Sequence, residues 1–211
     1  MNDNQIKMSI DVLLSYFDEF PEQFASRKKY PPNPKTSSGK KDIAELIETG
    51  LTQLIKPSIP GTKPDTITSI IVEAYYDLPI SNRKKAEEDH QKYMIAENIT
   101  GHLLEKYISD RGIRYGWINC PRSIIKSVDF IKKTNNKWRL LQIKNRDNSE
   151  NSSSKTVREN TSIEKWHRFE SRTGVTNWEN FPDNELRKIL SEKDFKEFVY
   201  QYIQNIKQNE N

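Results

Sequence analysis

Apolar side chains recur at mostly helical spacing from Ile6 to Phe20, where Ile10, Val12, Leu13, Leu14, Tyr16 and Phe17 form a stripe and Pro21 closes the segment. The spacing predicts a first helix there. Tyr30 to Lys41, with three prolines and the run Thr36-Ser37-Ser38-Gly39, is expected to be an exposed connection. A second helix is predicted from about Asp42 to Ile55 on the stripe Ile43, Leu46, Ile47, Leu51 and Leu54, and Pro57 to Pro64 forces a loop. Asp65 to Tyr75 and Ser81 to Ile108 continue in helical patterns, the second ending before Gly112.

After Gly112 the pattern changes. Tyr115 to Cys120, Ser123 to Ile131 and Trp138 to Lys144 are short segments rich in β-branched and aromatic residues, and Thr134-Asn135-Asn136 is a turn signal between the last two. A β-hairpin is expected. Beyond the polar tract Asn145 to Asn160, helical patterns return at Ser162 to Arg172 and from Asn184 to about Gln208. The order is helices, a small sheet, helices: an α/β (α+β) chain read as one domain, with a helical N-terminal region over 1–93, a core over 94–183 and a C-terminal helix over 184–211.

Composition adds two constraints. Only 34% of the 211 residues are apolar, but four Trp, nine Tyr and eight Phe supply enough large side chains for a core. The net charge of +4 is small, yet its distribution is uneven: Arg111 to Arg172 holds eight Arg and seven Lys against six acids, so 15 − 6 leaves that segment at +9. A phosphate backbone would favour that segment. The single cysteine, Cys120, excludes an internal disulfide and any multi-thiolate zinc site, and reads as a small half-buried residue. With no leader-like or membrane-length apolar run, the chain is expected in the cytoplasm.

Candidate chemistry emerges from the predicted hairpin. A strand from Ser123 to Ile131 puts Ile125, Ser127, Asp129 and Ile131 on one face, and its partner puts Trp138, Leu140, Gln142 and Lys144 on one face. Asp129, Gln142 and Lys144 then converge. Metal-assisted phosphodiester hydrolysis needs that combination: a hard cation held by carboxylate and carbonyl oxygens, and a lysine to orient or deprotonate the attacking water. Asp129 is the natural ligand, the Ile143 carbonyl a second oxygen, and Gln142 offers a neutral amide oxygen. The missing charge is expected from the preceding helix. There Glu97 lies about 20 degrees from both Leu104 and Ile108, inside the apolar stripe, whereas Glu105 falls at the stripe's solvated edge. Taken singly, Asp129, Lys144 and Glu97 are as easily strand-end or salt-bridged residues. His90, His102 and His167 are not spaced as a metal set.

Val128-Asp129 followed by Gln142-Ile143-Lys144 resembles the PD-(D/E)xK nuclease pattern, with Gln at the second acidic place and Ser127-Val128 where the pattern has Pro before Asp. The longer run from Leu141 to Ser154 resembles SinI-type restriction endonucleases. So do Ala96-Glu97-Asn98, Lys165-Trp166, Thr173-Gly174 and Trp178-Glu179-Asn180-Phe181-Pro182, over roughly Met94 to Asp183. The resemblance implies a restriction-endonuclease-like core with a small mixed sheet flanked by helices, Mg2+ catalysis, and cleavage of a GGWCC-like site by a homodimer. A cognate DNA methyltransferase would act on the same site.

The tract after Lys144 suits a DNA substrate on chemical grounds. Arg146 and Arg158 can hold guanine bidentately, Asn145, Asn148 and Asn151 can read base edges or phosphates, and Ser149 can bind backbone oxygens. Lys165 and Arg168 complete the expected DNA-binding set. Two other readings stay open: a structure-specific or repair nuclease of the same fold, and a nuclease-like domain that binds DNA without cutting.

Overall fold

The computed structural model describes residues 1–26, 28–58, 65–77, 80–147 and 162–209. Helix α1 (Asp3–Glu19) starts at Asn2, whose side chain accepts from the Gln5 N–H while the Gln5 side chain accepts from the Asn2 N–H. It buries Leu13, Tyr16 and Phe17. Helix α2 (Ser37–Thr52) begins five residues before the expected Asp42. Thr36 caps it through the Gly39 N–H at 3.1 Å, and Gly39 lies so close to the Asn33 backbone that a Cβ would stand 1.9 Å from the Asn33 oxygen. The run that read as a breaker is a helix start. Helices α3 (Thr66–Tyr76) and α4 (Ile80–Gly112) lie close to their predicted spans.

The sheet has four strands in the order β1 (Ile118–Asn119), β2 (Phe130–Thr134), β3 (Lys137–Arg146) and β4 (Ile163–Phe169). β1 to β3 pair antiparallel, and β3 pairs parallel with β4. The predicted hairpin is present, closed by Asn135 and Asn136 at φ 49° and 59°, the left-handed pair a two-residue turn between right-twisted strands requires.

Two expectations are corrected. The strand predicted over Ser123 to Ile131 is regular only from Phe130, because Pro121 opens a 3-10 turn and Arg122, Ser123 and Ser127 all take positive φ. Ile124, Ile125 and Val128 suggested a strand but are buried from an irregular loop. The helix predicted over Ser162 to Arg172 is β4, whose burial follows neither period: Trp166 alone is fully buried, its ring 5.0 Å from both Trp178 and Phe181. Pairing with β3, reinforced by Arg139 on Glu164 at 2.8 and 2.9 Å, overrides the local pattern. The expected C-terminal helix is two, α5 (Asn184–Arg187) and α6 (Glu192–Asn209).

The chain divides into two compact units, Met1–Leu54 with Leu104–Asn211, and Ile55–Leu103. In the first, α1 and α2 share one core with the sheet and its loops: Leu13, Phe17, Ile43 and Ile47 pack with Ile118, Ile125, Val128 and Ile131. Burying each such side chain contributes about 1.5 to 3 kcal/mol. The N-terminal helices are thus part of the body that carries the sheet. Among the described residues no helix is long and apolar enough to cross a membrane.

Candidate active site

Asp129 sits one residue before β2 and is fixed on three sides. Its N–H donates to the Leu141 carbonyl at 2.9 Å, and its carbonyl accepts from the Cys120 N–H at 2.8 Å and from Asn119 Nδ2 at 3.3 Å. Its Oδ2 accepts from the Ile143 N–H at 2.7 Å. The carboxylate therefore continues the β2–β3 ladder where the backbone of β2 has turned away. A residue's N–H and C=O leave a strand on the same edge, so the Ile143 carbonyl belongs to the edge that faces Asp129.

Gln142 and Lys144 flank Ile143 and share the opposite alternation, so both side chains leave β3 on one face. They line a cleft of about 330 Å³ with Asp129, and Ser26, Arg122, Ser123, Lys126 and Ser127 line it as well. The convergence expected of Asp129, Gln142 and Lys144 is present although the strand that predicted it is not.

Gln142 is only 3% exposed, and its Oε1 has no hydrogen-bond partner. Leaving such an atom buried and unsatisfied costs about 1 to 3 kcal/mol, so it calls for a ligand or a water. Burial pushes the Asp129 carboxyl up to about 6, against the opposing pull of the Ile143 N–H and of Lys144. Glu105 is pushed up to about 8 by burial and then by the charge of Asp129, with Lys144 again opposing. Two carboxyls and one ammonium thus act on one another in a poorly solvated place. Burial, then Asp129 and Glu105, raises the Cys120 thiol as well, which keeps it un-ionised; the residue, expected to be half-buried, is fully buried.

The acidic partner from α4 is a correction. Glu97 was expected to face inward, but it is exposed and belongs to the Ile55–Leu103 unit. The stripe was phased on Leu104 and Ile108, and the helix is buried only from Leu103 onward, so extending the phase back two turns carried it past the packed segment. Glu105, assigned to the solvated edge, is the helical carboxyl that interacts with Asp129 and Lys144.

Among the described residues no group of three or more His, Cys, Asp or Glu is gathered. The donor set is instead two carboxyls, the Gln142 amide oxygen and a backbone carbonyl: all oxygen, too few for a closed cage, and suited to a hard cation that keeps several waters.

The expected DNA contacts fare unevenly. Arg168 lies on β4, where its guanidinium grips Glu192 at 2.7 and 2.8 Å and donates to Asn145 Oδ1 at 2.9 Å. Arg168 and Asn145 thus take part in a partly buried network that ties α6 to the sheet. Lys165 pairs in register with Gln142, and Arg146 ends β3 exposed, its guanidinium 5.4 Å from the Phe169 ring. Asn148, Ser149, Asn151 and Arg158 lie outside the described residues. The wall formed by Ser26 and the Arg122–Ser127 loop was not foreseen, because its residues carry no motif and come together through tertiary pairing, the Ala25 N–H to Ile124 carbonyl bond at 2.7 Å and the bridge between Phe24 and Ile125.

The model of the SinI restriction endonuclease family matches residues 3–205. Over 208 residues the chain is 38% identical to the type II restriction enzyme SinI of Salmonella infantis, covering 96% of this chain and 90% of that one. Over 209 residues it is 38% identical to the type II restriction enzyme Eco47I of Escherichia coli, covering 96% and 89%. The match takes in the N-terminal helices that the motif resemblance left out, as does the shared core, and the chain belongs to the SinI restriction endonuclease family.

Proposed function

We infer that this chain is a type II restriction endonuclease that hydrolyses phosphodiester bonds of double-stranded DNA in the cleft bounded by Asp129, Gln142 and Lys144. The observation that carries the reading is the unsatisfied, buried Gln142 Oε1 together with two carboxyls raised by burial and a lysine that opposes both shifts. Such a set is costly to the fold and makes sense if a ligand completes it. Asp129, Glu105 and the Ile143 carbonyl would hold Mg2+, with Gln142 directly or through a water. The ion supplies charge neutralisation of the scissile phosphate and a more acidic bound water. Lys144 positions the attacking water on the side facing that phosphate, and Asp129, tied to the Ile143 N–H, holds its oxygens in place without reorganisation. Because burial raises Asp129 to about 6 and Glu105 to about 8, a cation bound there would displace protons at pH values below these.

Family membership supports a short specific site, GGWCC-like by the motif resemblance, read in the cytoplasm by two copies related by the symmetry of the site. The test is digestion of a sequenced phage DNA with Mg2+ and mapping of the ends. Discrete fragments with one shared end sequence are expected. Cutting confined to branched or damaged substrates would favour a repair nuclease, and metal-independent binding with no cutting would favour a domain in which Gln142 has replaced the acid that catalysis needs.

A further inference from the structure

The part of the cleft wall contributed by Ser26 and the loop 122–127 has its own chemistry. Asp129 is the one acid on the lining, which also takes in Lys126, Arg122, Ser26, Ser123 and Ser127. Lys126 is exposed, and among the described residues no acid pairs with it.

This wall is built to stay where it is. Ile124, Ile125 and Val128 are buried at 2%, 0% and 2% exposure and anchor the loop in the core, while Arg122, Ser123, Lys126 and Ser127 between them line the cleft. Left-handed backbone at Arg122, Ser123 and Ser127 (φ 56°, 55° and 61°) produces that division where a strand would have alternated. Behind the loop, Gly50 of α2 approaches Pro121 so closely that a Cβ would lie 2.6 Å from the Pro121 Cβ. Arg122 Nη2 donates to Gln53 Oε1 at 3.1 Å, which holds the guanidinium at the rim.

We propose that Lys126, with the Ser26 and Ser127 hydroxyls beside it and Arg122 at the rim, binds a DNA backbone phosphate flanking the scissile one, and so sets the position of the cut strand against Asp129 and Lys144. The inference rests on the nuclease reading of the cleft. An ammonium with two hydroxyls on a preformed concave wall matches the oxygens of a phosphodiester, which are the same at every step of the duplex. The site is therefore one of positioning, indifferent to sequence, and Lys126 is a positioning residue. The cleft is of ligand size, large enough for the scissile group and its neighbour together.

The test uses the full chain, with duplexes carrying the mapped cleavage site or a single mismatch in it, bound in Ca2+ over a range of salt and cut in Mg2+ under single-turnover conditions. Lys126→Ala should weaken binding to both duplexes alike, by about tenfold or more, and make the slope of log affinity against log salt shallower by about 0.9 per protomer. Lys126→Arg should restore most of both. Ser127→Gly removes the hydroxyl but suits the left-handed backbone, so it should weaken binding severalfold while raising the melting temperature. An unchanged salt slope for Lys126→Ala would overturn the proposal while leaving the nuclease reading intact, as would a loss on the cognate duplex alone. If the wild-type protein cut no duplex DNA, both would fall together.

Discussion

Burial raises both the Asp129 and the Glu105 carboxyls, and the charge of Asp129 raises Glu105 further. For an acid whose folded value is raised, the cost to stability is absent below its unfolded pKa near 4.5 and grows as pH rises through the folded value, here about 8 for Glu105. Glu105→Gln should therefore stabilise the metal-free protein progressively between pH 5 and 8, by on the order of 1 kcal/mol, or roughly 2 to 4 °C in Tm. Thermal melts in EDTA at the two ends of that range measure it, and a variant less stable than wild type at pH 8 would contradict the electrostatic account. Glu105→Gln should also shift the Mg2+ dependence of cleavage to higher metal, while Glu97→Gln, exposed on the other unit, should leave it near wild type. Comparing the two metal titrations decides which acid serves the site. At this scale Asp129, Gln142 and Lys144 were legible because a hairpin and a period of two suffice to bring them together. Glu105 was not, because a helix carries the same periodicity whether or not its neighbour packs there.

Among the elements, the sheet owes its outer edge to a single carboxylate. Asp183 Oδ1 caps α5 through the Glu185 and Leu186 N–H groups, and its Oδ2 accepts from Trp117 Nε1 and Lys132 Nζ, both at 2.8 Å. Burial alone would raise this carboxyl, but the bonds from Lys132, Trp117 and Leu186 outweigh it and take it down to about 2. A lowered acid stabilises the fold above its unfolded pKa near 3.9, and that contribution is lost as pH falls toward 2. Asp183→Asn should thus cost about 2 kcal/mol or more at neutral pH, and the gap to wild type should close between pH 4 and 2. Urea unfolding at pH 7 and pH 3 checks both parts; a gap independent of pH would mean that the charge is not what matters. The same elements show what sequence leaves out. The Asn135-Asn136 turn is local and was readable, whereas β4 exists because β3 offers it an edge, and a parallel partner contributed from the far side of a long connection leaves little mark in a seven-residue window.

For the molecule as a whole, the basic excess from Arg111 to Arg172 falls on the segment that carries β1 to β4, while the stretches of chain before and after it are acidic on balance. If two copies each spend three or more cations on phosphates, log affinity should fall against log salt with a slope of about −5 or steeper. Binding isotherms at several salt concentrations read this directly, and a slope near −1 would point to an incidental DNA role. The helices of the N-terminal third carried no motif and could not be placed from sequence, but their apolar stripes are the other half of the core under Ile118, Ile125 and Ile131, so they belong to the fold that aims the site.

The central claim is that one cleft, and not the DNA-reading surface around it, performs the hydrolysis. Single-turnover cleavage of the mapped duplex by Asp129→Ala and Lys144→Ala, beside their affinity for the same duplex in Ca2+, tests it most directly. The account predicts a fall in cleavage rate of about a thousandfold or more for each variant, with affinity within severalfold of wild type. An Asp129→Ala enzyme that cuts at close to the wild-type rate, with binding intact, would contradict it.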